Sequence, residues 1–240
     1  MKSLNSQNSY SAYCKKLSIE IKKNLLKLKS KNLFFTGSSG FLCGQLINFL
    51  SLCNREYNLN LKLYCFSTNL KKLKKKSPEK NIIYSNNLKF FYKKKIDYIF
   101  HFASPSSHNL RKSFFLESSI YANIFFLKEL KKIKSRNKLI YISTNAIQSN
   151  KKKLENEIFM DNNQNINPRT QYDLVKLLGE LTVENKIYND DYYIIRPDLI
   201  CGPGEDPKSG RYFSDVVNSI RNKKVFYFRG TKKDERSFMF

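Results

Sequence analysis

No apolar run in this 240-residue chain approaches the ~20 residues needed to cross a bilayer. Residues 1–30 also lack the apolar core of a signal peptide. The five cysteines, Cys14, Cys43, Cys53, Cys65 and Cys201, include no CxxC pair and no His-containing ligand spacing. That pattern argues against a structural metal site or a disulfide framework and fits a reducing cytoplasm. Acidic side chains are scarce: 20 Asp and Glu against 44 Lys and Arg leave a net charge of +24. Such an excess invites a nucleic-acid reading. Against it, the lysines are dispersed along the whole chain, as on a solvated face, and only 71–76 is a dense cluster. No nucleic-acid partner is expected.

What the chain does have is 41% hydrophobic residues, enough for one sizeable core. Tyr13, Leu17, Ile21, Leu25 and Leu28 recur at helical spacing with lysines between them. The stripe suits either a membrane-surface helix or packing on the domain that follows, and the second reading is preferred. Buried-strand runs then lie at Asn32–Thr36, Leu61–Ser67, Asn81–Tyr84, Tyr98–Phe102, Leu139–Ser143 and Tyr192–Arg196. Helical patterns alternate with them at Phe41–Leu52, Leu88–Lys94, Leu116–Lys134 and Gln171–Ile187. This rhythm predicts an α/β fold, a Rossmann-type doubly wound parallel sheet. From Gly202 onward it changes to a loop, a helix at Tyr212–Asn222 and a short strand at Val225–Phe228, the start of a small substrate lobe. The expected organisation is a helical extension over 1–30, a dinucleotide-binding domain over 31–200 and a partial lobe over 201–240.

The first strand runs into Thr36-Gly37-Ser38-Ser39-Gly40-Phe41-Leu42. A glycine turn there lets backbone N–H groups approach a pyrophosphate at a helix N-terminus. The third glycine of such a turn is replaced by Cys43. The second strand ends in Ser67-Thr68-Asn69 without the carboxylate that would grip an adenosine ribose, so NADP stays open beside NAD. Ala103 and Ser104, past the fourth strand, are small enough for cofactor to lie along the backbone. His101 is either catalytic or a satisfied core histidine, the second being the commoner case.

Tyr172 and Lys176 are one helical turn apart and face the same way. A phenol with an ordinary pKa near 10 is a poor base. An adjacent ammonium favours the phenolate, which then takes a proton from a sugar hydroxyl. Thr144, just past the fifth strand, is placed to orient that hydroxyl.

These pieces resemble the extended short-chain dehydrogenase/reductases, in particular the nucleotide-sugar epimerase/dehydratase group, over residues 30 to 240. The matching residues are Gly37, Gly40, Phe41, Asp97, His101, Ala103, Asn123, Ser143, Thr144, Tyr172, Lys176, Arg196, Pro197 and Gly202-Pro203-Gly204. Ala103-Ser104-Pro105 and Arg169 are similar to UDP-glucuronate decarboxylases. The resemblance implies a catalytic trio of Thr144, Tyr172 and Lys176, with Asn123 serving a proton relay or the local backbone. It implies cofactor contacts from Gly37, Ser39, Gly40, Phe41, Leu42, Ala103, Ser104, Lys176 and Pro197. Substrate contacts would come from Ser104, Asn145, Arg211 and Arg236, with NAD as cofactor and no metal. A homodimer making surface-polysaccharide sugars in the cytoplasm is the implied setting.

The chain departs from that pattern at Asn145 and Ala146, where dehydratases carry an Asp-Glu pair and decarboxylases a Glu. Without those acids, C4 oxidation and re-reduction, or keto-sugar reduction, is the chemistry left. Leu199 and Cys201 replace the usual Asn and Tyr. Members of the family continue past the equivalent of Phe240, so the chain is expected to be a fragment or truncated. A cofactor-binding protein without turnover is the competing expectation.

Overall fold

The structure is a computed structural model that describes residues 6–69, 80–104, 115–133, 138–147, 168, 170–187, 191–202, 204–206, 211–226 and 238–239. The lysine cluster 71–76, the stretch 150–167, Pro105, Arg169, Pro203, Gly210 and Arg236 lie outside the described residues. Two compact units divide the chain: Met1–Ala103 with Ile133–Leu139, and Ser104–Lys132 with Ile140–Phe240.

The first unit opens with helices α1 (Ser6–Glu20) and α2 (Lys22–Leu26). Hydrogen bonds from Ile21 N–H to the Leu17 carbonyl (3.1 Å) and from Leu25 N–H to the Ile21 carbonyl (3.0 Å) carry the helical ladder across their junction. The pair docks on the domain, as preferred from the sequence, but with a rotated face. Tyr13 points to solvent, whereas Cys14, Ser18 and Leu25 are buried. Contacts with the following helix fix the docking: Tyr10 with Gln45, Lys15 with Glu56 at 3.6 Å, and Ser18 with the Tyr57 hydroxyl at 3.0 Å.

Strand β1 (Asn32–Thr36) leads into α3 (Phe41–Glu56), then β2 (Lys62–Phe66), β3 (Ile82–Ser85) and β4 (Tyr98–His101). β1 is central, pairing in parallel with β2 (Leu33 opposite Leu63) and with β4 (Leu33 opposite Tyr98). A strand covered on both faces needs an unbroken apolar run, which Leu33-Phe34-Phe35 provides. Successive side chains alternate faces. Phe35 joins the cluster of Cys43, Ile47, Leu50, Leu63 and Cys65 under α3, while Phe34 packs on Phe91 with the rings tilted and their centres 4.8 Å apart. Each of these wholly buried rings contributes on the order of 2–3 kcal/mol. Asp97 staples the strand starts: its N–H reaches the Asn32 carbonyl at 2.9 Å, and its carboxylate accepts Asn32 N–H at 2.8 Å. The Leu88–Lys94 helix expected from sequence is a single 3-10 turn, Leu88–Phe91, started by an Asn87 side-chain cap.

The second unit holds α4 (Phe115–Leu130), most of β5 (Lys138–Ile142), a 3-10 turn at Asn145–Ile147, α5 (Gln171–Thr182), β6 (Tyr192–Ile195), β7 (Leu199–Ile200), α6 (Tyr212–Arg221) and β8 (Phe238–Met239). The main sheet has six strands in the order β3-β2-β1-β4-β5-β6, the doubly wound order expected, and β7 pairs in parallel with β8. α5 ends earlier than its apolar pattern, giving way to one π turn at Val183–Ile187. Val225 and Phe226 are not in a strand; Phe226 folds back edge-on to Tyr212 at 5.5 Å.

Candidate active site

The glycine turn is built from backbone geometry. Gly37 has φ +68°, and a Cβ there would fall 2.9 Å from the Ala103 nitrogen. Only glycine takes this conformation with a neighbouring main chain so close. The Thr36 hydroxyl holds that neighbour in place, accepting Ala103 N–H at 3.1 Å while pairing with His101 Nδ1 at 2.8 Å. His101 is thus a satisfied core residue that braces the turn. Gly40 N–H closes the turn on the Gly37 carbonyl at 2.8 Å and caps α3 without a side chain, placing Phe41 and Leu42 in the first helical turn. Cys43, at the third-glycine position, is packed into the core under α3. Beyond β2, the Ser67 hydroxyl donates to the Ser39 hydroxyl at 2.8 Å, linking the end of β2 to the glycine turn.

Helix α5 starts on a capping box. The Thr170 hydroxyl accepts Asp173 N–H at 3.2 Å and the Asp173 carboxylate accepts Thr170 N–H at 3.0 Å. From this start Tyr172 and Lys176 fall on one face. Lys176 is only 3% exposed, and its ammonium donates to the Ile142 carbonyl at 2.6 Å, at the end of β5. Its Nζ lies 5.9 Å from the Tyr172 ring centre and 5.4 Å from that of Tyr141. Burial lowers the Lys176 pKa to about 8, against the opposing pull of Glu180. Tyr172 differs from the sequence expectation of a depressed phenol. Burial raises it, with Arg211 drawing it back and Asp173 adding to the rise. Arg211 thus offsets part of the effect of burial on Tyr172, while the Lys176 ammonium is hydrogen-bonded to the main chain.

Thr144 stands two residues past β5, between two ties to the β6 side. Ser143 N–H reaches the Ile195 carbonyl at 2.8 Å, and Asn145 N–H reaches the Pro197 carbonyl at 3.0 Å. The Asn145–Ile147 turn packs against α5, bringing this corner to the helix that carries Tyr172 and Lys176. Ser104 Oγ, Ser143 Oγ, Asn145 Oδ1 and Gln171 Oε1 are buried and meet no hydrogen-bond partner among the described residues. Buried polar atoms normally have partners, which water or a polar ligand can supply. Arg211, expected at the substrate, forms a 3.7 Å ion pair with Glu205.

Three further residues brace α5. Asn123, on α4, donates to the Val175 carbonyl at 3.3 Å and to the Tyr141 hydroxyl at 3.2 Å, so it serves the backbone of α5. Tyr141, fully buried on β5, reaches the Lys176 carbonyl at 3.4 Å. Glu180, 1% exposed, accepts from Arg196 Nε at 2.9 Å and from Nη2 at 2.5 Å, locking α5 to the end of β6. The signal for this last pair was present: Glu180 is one turn beyond Lys176, and Arg196 directly precedes Pro197. Among the described residues no group of His, Cys, Asp and Glu is arranged to hold a metal ion, and no helix is long and apolar enough to cross a membrane.

A glycine turn between β1 and α3 of a doubly wound sheet, with a Tyr-Lys helix after β5, defines a class of dinucleotide-dependent proteins. The sequence pattern of the NAD dependent epimerase/dehydratase family matches residues 33–240, and the chain belongs to that family. Solved structures agree in fold. UDP-glucuronic acid 4-epimerase from Bacillus cereus, in complex with UDP-glucuronic acid and NAD, superposes with TM-score 0.68 at 18% identity, over 86% of this chain and 68% of that one. An epimerase from Methanothermobacter thermautotrophicus gives TM-score 0.73 at 19% identity, over 93% and 68%. UDP-N-acetylglucosamine 4-epimerase from Methanobrevibacter ruminantium, in complex with UDP-N-acetylmuramic acid, gives 0.69 at 20%, over 88% and 69%. No curated protein sequence matches the chain.

Proposed function

We propose that the protein binds NAD and epimerises a nucleotide sugar at C4, in the cytoplasmic synthesis of surface-polysaccharide precursors. The observation that carries this reading is the buried Lys176, fixed on the Ile142 carbonyl beside Tyr172 and below the Thr144 corner. Support comes from solved relatives whose names give 4-epimerase activity and complexes with NAD or UDP-sugars.

The residues present fit the cofactor. The Gly37 turn, the side-chain-free cap at Gly40 and the first turn of α3, with Phe41 and Leu42, would hold the pyrophosphate; Ser39 would face the adenosine ribose. Ala103 and Ser104 would line its path, and Lys176 and Pro197 would meet the nicotinamide end. Bound there, NAD would supply the hydride-accepting and hydride-returning chemistry at the sugar carbon. The chain's own residues manage the proton and the sugar. Thr144 hydrogen-bonds the C4 hydroxyl, and the Tyr172 phenolate takes its proton. Arg211 favours that phenolate electrostatically. Ser104, Asn145, Arg211 and Arg236 would bind the substrate, the first two through their buried unpartnered oxygens. Asn145 and Ala146, where an acid would be needed for dehydration or decarboxylation, support simple oxidation and re-reduction. Exposed Phe125 (48%) on α4 and Leu181 (42%) on the adjoining α5 support a homodimer through those helices.

The test is incubation of purified protein and NAD with a panel of UDP-, dTDP-, GDP- and CDP-sugars, read by separation of the C4 epimers. Epimer formation is expected. NAD binding without conversion of any sugar would leave a cofactor-binding protein and overturn the enzymatic reading.

A further inference from the structure

An ammonium buried in a protein needs an anion, or it gives up its proton. Lys176 has one carbonyl at 2.6 Å and two tyrosine rings near it, and none of these groups is a carboxylate. On its own helix, Asp173 is spent on the Thr170 cap. Glu180 is the remaining carboxylate, one turn further on and on the same face. Yet Glu180 is gripped by Arg196 through both of its oxygens, at 2.9 and 3.2 Å from Nε and 2.5 Å from Nη2.

We propose that Glu180 and Arg196 are positioning residues that together set the charge of Lys176, Glu180 holding the proton on the ammonium and Arg196 limiting how strongly it does so. The proposal rests on reading Lys176 as a member of the catalytic group. Neither residue touches the reacting atoms. Arg196 orients the carboxylate, ties α5 to the end of β6 and shares its negative field. Glu184, on the π turn, acts on Arg196 from the other side. The groups near Lys176 are then the rings of Tyr172 and Tyr141, with Glu180 one turn further along α5 and Arg196 bound to Glu180. The arrangement poises a lysine near the working pH, with burial lowering its proton affinity and Glu180 raising it.

A purely structural ion pair predicts the same outcome for loss of either partner. The proposal predicts opposite ones. In an NMR titration of protein carrying 13C-labelled lysine, with Lys176→Met identifying the signal, Glu180→Gln should lower the Lys176 midpoint by about one pH unit. Arg196→Gln, which keeps a hydrogen bond to Glu180 but removes its charge, should raise the midpoint by a similar amount. Arg196→Lys and Glu180→Asp preserve charge, give folded controls and should titrate close to the native protein. Movement in the same direction for both neutral variants, or in neither, overturns the proposal. The titration needs no substrate, so a protein that turns over no sugar would defeat the epimerase reading and leave this measurement standing. Where turnover exists, the alkaline limb of kcat should move with the same signs.

Discussion

Gly179 and Tyr141 share one small volume. A Cβ on Gly179 would fall 2.6 Å from the Tyr141 ring carbon Cζ, closer still to the hydroxyl, and 2.6 Å from Asn123 Nδ2. The absent side chain is what lets α5 lie on β5 closely enough for Lys176 to reach the Ile142 carbonyl. Gly179→Ala is therefore expected to lower stability by about 1–3 kcal/mol, since ring and amide cannot both retreat from a packed core. Urea denaturation measures the loss. An unchanged midpoint would mean that the helix moves out freely.

Gly37→Ala acts on the other half. A positive φ and the Ala103 main chain both oppose a Cβ there. A strained left-handed residue alone costs about 1–3 kcal/mol. Calorimetric titration with NAD should show affinity falling tenfold or more, as the turn opens by the width of a methyl group and loses its approach to phosphate. Circular dichroism should still report a folded α/β protein.

Lys176→Met separates stability from function. The native lysine titrates near 8 when folded and near 10.5 when unfolded, so between those values the unfolded chain binds more protons. Stability from this group is complete above 10.5 and is lost as pH falls through 8. At pH 7 the native fold carries the full cost of a buried ammonium, and the methionine variant should unfold at a higher temperature by the equivalent of about 1–2 kcal/mol. Above pH 10 the difference should shrink. Turnover should be lost throughout.

Tyr172→Phe should remove turnover by about 10²–10⁴-fold while leaving NAD affinity nearly unchanged, the effect expected when a general base is deleted. Retained turnover would remove Tyr172 from its assigned role. Arg211→Gln should leave residual activity whose rise with pH is displaced upward, because the phenol loses the cation that offsets its burial. A rise at the native pH would mean that Arg211 acts on substrate alone.

The six main strands were legible because each is a compact apolar run, and β1 has the predicted bounds, Asn32–Thr36. The glycine turn and the Tyr172–Lys176 pair were legible because their geometry is local, a turn and one helical repeat. The partners of Lys176 were not. Tyr141 and Arg196 reach α5 from other strands, and strand side chains carry no mark of what the sheet will bring against them. The depressed tyrosine failed for the same reason: adjacency on the helix ranked Lys176 first, whereas its Nζ turns to Ile142 and the burial of Tyr172 dominates. The Leu88–Lys94 helix was read too long: its start is marked by the Asn87 cap, but it ends after the single 3-10 turn Leu88–Phe91.

The capping box at Thr170 and Asp173 has a meaning for how such a sequence can change over time. Because the first turn of α5 is specified by residues inside it, the rotation of Tyr172 and Lys176 about the helix axis does not depend on how many residues precede Thr170. A change in the length of the segment upstream of Thr170 would therefore leave the face that carries Tyr172 and Lys176 in register.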